Sequence, residues 1–341
     1  MPRLTRTLTA IGALLLAAPL AAPLAHAAEP GEGIAITMAQ PTWDTGWFQT
    51  AIYSRLLREL GYDVSAPMTL DNPAFYQAVA FGDVTMWVDG WFPGHNSYRD
   101  IFEQGAEIVG SVAEGGALQG YLVDKISAEK FGIKTLEDFK RDEVKAAFDR
   151  NGDGKADMVG CPPGWACEEN IEHHMDAYDL REHVNVISAN YSASMADAVA
   201  AFGNGEPILF YTWTPNWTVN ELTPGEDVVW IQVPFVDLVP TEKGLEDAAT
   251  MAGVEGCVAD PCVLGYVAND IVPVVNSAFL AANPAVAALF DAAAIPLTDI
   301  YAQNAQMNAG DQNIDAQADA WIAAHRDQVD TWLTTARAAA E

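Results

Sequence analysis

An α/β fold, with sheets of the parallel type covered on both faces, is what the sequence predicts. Two observations carry that expectation. Short apolar runs of strand length alternate with segments of helical period over most of the 341 residues. Neither an internal repeat nor a long low-complexity linker breaks the alternation.

In chain order, "GIAITMA" (33–39) reads as a strand, and "DTGWFQTAIYSRLLRELG" reads as a helix. Asp44 is its expected N-cap, and Phe48, Ile52, Leu56 and Leu60 fall on one face. "VTMWV" (84–88), "AEIVGSV" (106–112) and "LQGYLVD" (118–124) are further strands. Next come the helical "TLEDFKRDEVKAAFD" and "CEENIEHHMDAYDL", the strand "NVISAN" and the helix "SASMADAVAAFGNG". "PILFYTW" (207–213) and "DVVWIQVP" (227–234) return to strand, and the Ala-rich chain from Asn276 onward is almost wholly helical.

The first residues bear on compartment. Arg3 and Arg6 precede an apolar run from Ile11 to Ala25, which ends in Ala25-His26-Ala27. Charged, apolar and small residues in that order make a secretory leader over residues 1–27, with cleavage expected after Ala27 or Ala28. No later stretch reaches the roughly 20 apolar residues of a membrane span. The first cysteine is Cys161, so no thiol stands near the cleavage point to carry a lipid. The expectation is a soluble, periplasmic protein, not a lipoprotein. Without Arg3 and Arg6, 15 basic residues face 47 acidic ones, a net charge of about −32. Such a field repels nucleic acid and anionic lipid, keeps the protein soluble, and would attract a cation. The four cysteines form two close pairs, Cys161/Cys167 and Cys257/Cys262, and export favours two local disulfides over a zinc site.

Three tryptophans stand at loop or strand-end positions, where binding residues gather: Trp91 in "DGWFPGH", Trp165 in "CPPGWACEEN", and Trp213 closing "PILFYTW". A set of indoles suits a quaternary ammonium ion. Such a cation has no N–H to donate, whereas an aromatic face attracts it and buries its methyl groups, for about 0.5–2 kcal/mol per face. If the ligand also carries a carboxylate, His95 and the backbone N–H groups of Ala166 and Cys167, where a helix begins, are the candidate donors. In "DRNGDGKAD", Asp149, Asn151, Asp153 and Asp157, with a carbonyl from Lys155, match part of a calcium loop, though Gly160 stands where its bidentate acid belongs. A structural Ca2+ is therefore an expectation, and no other cofactor is. No G-x-S-x-G, phosphate loop or H-E-x-x-H is present, so an enzyme is not expected.

The segments "GWFPGH", "NGDGKAD", "CPPGWACE", "GYLVDK", "YTWTPNW", "DVVWIQVPF" and "NPAVAALF", in this order, resemble the periplasmic glycine betaine/proline betaine-binding proteins of osmoprotectant ABC importers. The resemblance runs from about residue 33 to the C-terminus. It implies a two-lobed type II periplasmic binding protein fold with a ligand cleft between the lobes. It also implies a tryptophan box of Trp91, Trp165 and Trp213, carboxylate contacts from His95, Ala166 and Cys167, and a Cys161–Cys167 disulfide holding the middle tryptophan's loop. The lobes are expected at 28–124 plus 274–341, and at 125–273. A permease and ATPase complex would be the partners of a monomeric receptor. The chain departs from the pattern at Trp43, Trp47 and Asp89, which become further pocket candidates, at Ala166, and in the second cysteine pair. Trimethylamine N-oxide, choline or carnitine are alternative solutes. A calcium-dependent carbohydrate-binding or adhesion protein is the alternative of another class, and an exported hydrolase stands last.

Overall fold

The computed structural model describes Pro2 and residues 28–341, so the expected leader lies, apart from Pro2, outside the described residues. The strand Asn269–Asn276 is the axis of the first lobe. It pairs antiparallel with Met86–Phe92, Ala106–Ile108 and Ala113–Ala117. Two short parallel pairs flank this sheet, Ala35–Ile36 with Asp63–Val64 and Ala39–Pro41 with Met68–Leu70. In the second lobe the strand order is Val184–Ile187, Ala156–Val159, Leu209–Trp213, Gln119–Asp124, Val228–Ile231.

Only part of this pairing is parallel. Val184–Ile187, Ala156–Val159 and Leu209–Trp213 run parallel, but Gln119–Asp124 is antiparallel to both its neighbours. The expectation of parallel-type sheets is thus corrected to mixed ones, and the cleft explains why. Met86–Phe92 and Leu209–Trp213 run toward the cleft and end at its tryptophans. Gln119–Asp124 and Asn269–Asn276 start just after the chain has crossed between lobes, so they run away from it. Trp213 accordingly pairs with Gln119, and Trp91 with Ile271.

The same pairings cut across the expected lobe boundaries. Residues 118–124, expected in the first lobe, belong to the second sheet, and the expected break at 273/274 falls inside one strand of the first sheet.

The first long helix, Trp47–Glu59, buries Phe48, Ile52 and Leu56 as its period predicts, with Leu60 buried just beyond its end. Asp44 is not its N-cap. It opens a 3-10 turn, Asp44–Gly46, and Gly46 holds the capping position without a side-chain bond. Other helices do carry side-chain caps: Asp71 accepts from Ala74 N–H, Asp124 from Ser127 N–H, and Asn190 from Ala193 N–H. The helical "TLEDFKRDEVKAAFD" divides into a 3-10 turn, Leu136–Lys140, with a Thr135/Asp138 capping box, and the helix Asp142–Phe148.

Candidate functional site: an aromatic cavity between the lobes

Each lobe presents indoles by a different local device. In Met86–Phe92, Gly90 pairs with Val272 but Trp87 pairs with Val274, so this strand runs three residues while its partner runs two. The extra residue is a bulge at Val88–Asp89 opposite Pro273, whose missing N–H makes it the natural partner of a break in the ladder. The bulge re-aims the strand's end, which delivers Trp91 to the cleft. In the other lobe, Trp165 precedes the helix Ala166–Ala177 in a loop closed by the Cys161–Cys167 disulfide, with Cα atoms 6.0 Å apart. Cys257–Cys262 is the second disulfide. Trp213 is the last residue of its strand.

These residues converge. One cavity is lined by Trp43, Trp91, Trp165 and Trp213 with His95, Ala166, Cys167, Asn72, Gly94, Gln119, Asn170 and Tyr211. Trp165 meets Trp43 edge to face on one side (centroids 5.3 Å apart, 75°) and Trp213 on the other (5.5 Å, 76°). Trp91 stands apart from this chain of rings. The Trp165 indole N–H crosses the cleft to Thr42 Oγ1 at 2.8 Å, so the lobes are joined at the cavity rim.

At the polar end, Ala166 and Cys167 occupy the first turn of their helix, where N–H groups have no intrahelical carbonyl to bond. His95 is buried and neutral. Burial pushes its imidazole down to about pKa 3. Its tautomer follows from a fixed donor: the backbone N–H of Trp91 points at Nδ1 from 3.1 Å, and Tyr76 Oη lies 2.6 Å from the same atom. The ring proton is therefore on Nε2, and the Asn72 side-chain amide 3.2 Å away can accept it only with its oxygen turned to that atom. His95 offers a hydrogen bond and no charge.

A model of the substrate-binding domain of ABC-type glycine betaine transport systems matches residues 34–324. The chain belongs to that family. Among its relatives is the glycine betaine/proline betaine-binding periplasmic protein of Salmonella typhimurium, 39% identical over 335 residues that cover 97% of each chain. The Escherichia coli protein of the same name is 39% identical over 314 residues, 91% of this chain and 92% of that one. Solved structures share the fold at lower identity. Lactococcal OpuAC, closed and complexed with glycine betaine, has a TM-score of 0.67 at 19% identity, covering 88% of this chain and 99% of its own. An ABC-transporter choline-binding protein in complex with choline has a TM-score of 0.67 at 18% identity, covering 90% and 96%. The two-lobed binding-protein fold expected from the resemblance is thus shown.

As a member of this glycine betaine transport family, the chain is a substrate-binding component, and its unusual residues separate into wall and support. Trp43 is a wall residue. Trp47 is not: its indole N–H bonds Pro41 O at 2.8 Å, outside the cavity. Asp89 is not a wall residue either. It is completely buried behind the indoles and accepts the N–H of Trp43. Sequence reasoning passed over Tyr211, which lies two residues before Trp213 on the same strand face, a signal that strand period alone supplies. It also passed over Asn72, Gln119 and Asn170, whose amides carry no local signature.

In the Asp-rich loop the carboxylates bond the backbone and neighbouring amides. Asp157 Oδ2 accepts from the N–H groups of Arg150 and Asn151, and Oδ1 from the Asn151 and Asn185 amides. Four donors use the whole acceptor capacity of that carboxylate. Asp149 accepts from Gly152, Asp153 and Gly154 N–H, Asp153 from Lys155 N–H, and the Lys155 ammonium bonds Arg181 O. Among the described residues no three His, Cys, Asp or Glu side chains gather as a metal set. As placed, the loop is a self-satisfied Asx turn, and metal removal tests the calcium expectation. EDTA should leave the melting temperature unchanged. A fall of several degrees, reversed by added calcium, would restore the ion.

Proposed function

We propose that this chain captures glycine betaine or a close trimethylammonium carboxylate in the periplasm and presents it to the permease and ATPase of an ABC importer, as a monomer. The observation that carries the reading is the composition of the cavity wall: four indoles at one cavity, with helix N–H groups and a neutral imidazole donor beside them. Indoles hold the methylated cation through their faces, and the donors hold an anion. The family's role and the periplasmic relatives support the compartment and the importer. So does the leader-like order of residues 1–27.

The wall contains no Asp or Glu. That favours a ligand that brings its own carboxylate over choline, whose hydroxyl has no need of a helix N-terminus. The family match, to a glycine betaine transport system, favours this reading over a calcium-dependent sugar site.

Glycine betaine, proline betaine, carnitine, choline and trimethylamine N-oxide, titrated separately and read by tryptophan fluorescence, test this directly. The betaines are expected to bind tightest. His95→Ala should weaken glycine betaine by about 1–2 kcal/mol, the loss of one hydrogen bond to a charged group, and leave choline almost unchanged. Because the His95 imidazole titrates near 3, that difference should be constant from pH 6 to pH 9. Choline binding tighter than every betaine would overturn the preference.

A further inference from the structure

Asp89 is a carboxylate without a cation. It is 0% exposed, at the strand bulge behind the cavity. Oδ2 accepts the indole N–H of Trp43. The indole N–H of Trp91 lies close enough to help hold the carboxylate, yet short of a formed bond, so Trp91 Nε1 and Asp89 Oδ1 both lack a partner. The acid thus sits directly behind two of the four cavity walls. Its place is built for it: a Cβ on Gly46 would come within 2.1 Å of Asp89 Oδ2.

No cationic side chain among the described residues offsets it. Among the described residues, the influences on Asp89 are burial and the two indoles. The titratable groups around it are neutral near pH 7: Tyr76 is pushed well above its ordinary value, and His95 down to about 3. Asp44, in the turn between Trp43 and Gly46, belongs to the wall of the neighbouring cavity at the cleft mouth. A buried, unpaired carboxylate is costly and is retained where something compensates it.

Resting on the reading of the site as a trimethylammonium cavity, we propose that Asp89 is the fixed counter-charge to the ligand's ammonium group, acting as a positioning residue through the Trp43 and Trp91 indoles between them. It does this in two ways. By accepting the indole N–H it orients the ring and enriches its face in electron density, which strengthens attraction for a cation. Its charge also acts on the ammonium group through a dry layer of rings, where screening is weak.

Burial raises the Asp89 carboxyl from 3.8 to about 7. A cation in the cavity favours the ionised form and so lowers that pKa. Binding then releases a proton at and below neutrality, and affinity falls as pH drops through about 7. Glu242, at the contact between lobes, is raised by burial to about 7 as well, so wild type and variant must be compared at each pH.

The test uses Asp89→Asn, which keeps the shape and an acceptor for Trp43. Glycine betaine and its carbon isostere 3,3-dimethylbutanoate, with an uncharged head of the same form, are titrated into both proteins at pH 8 and pH 6. At pH 8 the variant should bind glycine betaine about fiftyfold more weakly, as expected for a charge about 7 Å away at an effective dielectric of about 20. The isostere should bind it as well as or better than wild type. Wild-type affinity for glycine betaine should fall several-fold at pH 6, and the variant's should fall less. An unchanged betaine affinity in the variant, or an equal loss of both ligands, overturns the counter-charge. If the isostere binds neither protein, the difference between the pH profiles decides: parallel profiles overturn the proposal. A wild-type protein that binds no methylammonium ligand would instead overturn the function itself.

Discussion

Trp165→Ala and Trp213→Ala are each expected to weaken glycine betaine binding by about 1–3 kcal/mol, from lost cation–π attraction and lost apolar contact. The two rings meet edge to face at 5.5 Å, and Trp165 also packs against Trp43 at 5.3 Å. Removing Trp165 therefore leaves both neighbours without support, and it breaks the bond to Thr42 that joins the lobes. It should be the costlier of the two. Phe at either position should recover part of the loss, because a smaller ring still presents a face. Calorimetric titration measures this, with circular dichroism to confirm folding. Because the rings are in contact, the double variant should lose less than the sum of the singles.

Gly46→Ala is the second large effect, and it arises from sterics alone. Gly46 has φ −90° and ψ −6°, which any residue can adopt. Its missing Cβ would meet Asp89 Oδ2 at 2.1 Å, Pro41 Cγ at 2.6 Å and Asp89 Cγ at 2.8 Å. A methyl group there has to displace the carboxylate and with it the Trp43 indole. Overpacking of this kind typically costs about 1–3 kcal/mol of stability, and glycine betaine affinity should fall alongside it. Thermal denaturation and titration measure the two losses. In an Asp89→Ala background the same change should cost much less, since the main obstacle is gone. An equal cost in both backgrounds would show that Pro41, and not the carboxylate, sets the constraint.

The tryptophans of the cavity were legible because each interrupts a pattern: an indole after a strand, inside a Pro/Gly loop between cysteines, or at a strand's last position. Local periodicity also located many strands and helices, but not the axial strand Asn269–Asn276, the strand Ala156–Val159 or the helix Asn72–Phe81. What it does not carry is pairing. The segment 118–124 looks the same whichever lobe it joins, and only its partners, Leu209–Trp213 and Val228–Ile231, assign it. The sheet direction escaped for the same reason, since a strand that leaves the cleft is spelled like one that approaches it. Trp43 and Asp89 were visible as oddities but not as a pair, because 46 residues separate the donor from its acceptor. Trp47, one helical turn from Trp43, had an equal claim on composition and turned out to face Pro41 O.

The central claim is that aromatic walls, not the surrounding acidic field, hold the ligand's cation. Titration of glycine betaine into the mature protein at 50 mM and 500 mM sodium chloride tests it most directly. A caged cation is held by short-range contact in a dry cavity, whereas attraction to surface acids is screened over about 10 Å at 0.1 M salt and about 3 Å at 1 M. The account predicts one site per chain and dissociation constants that agree within about twofold. No binding, or an affinity that falls tenfold or more at high salt, would contradict it.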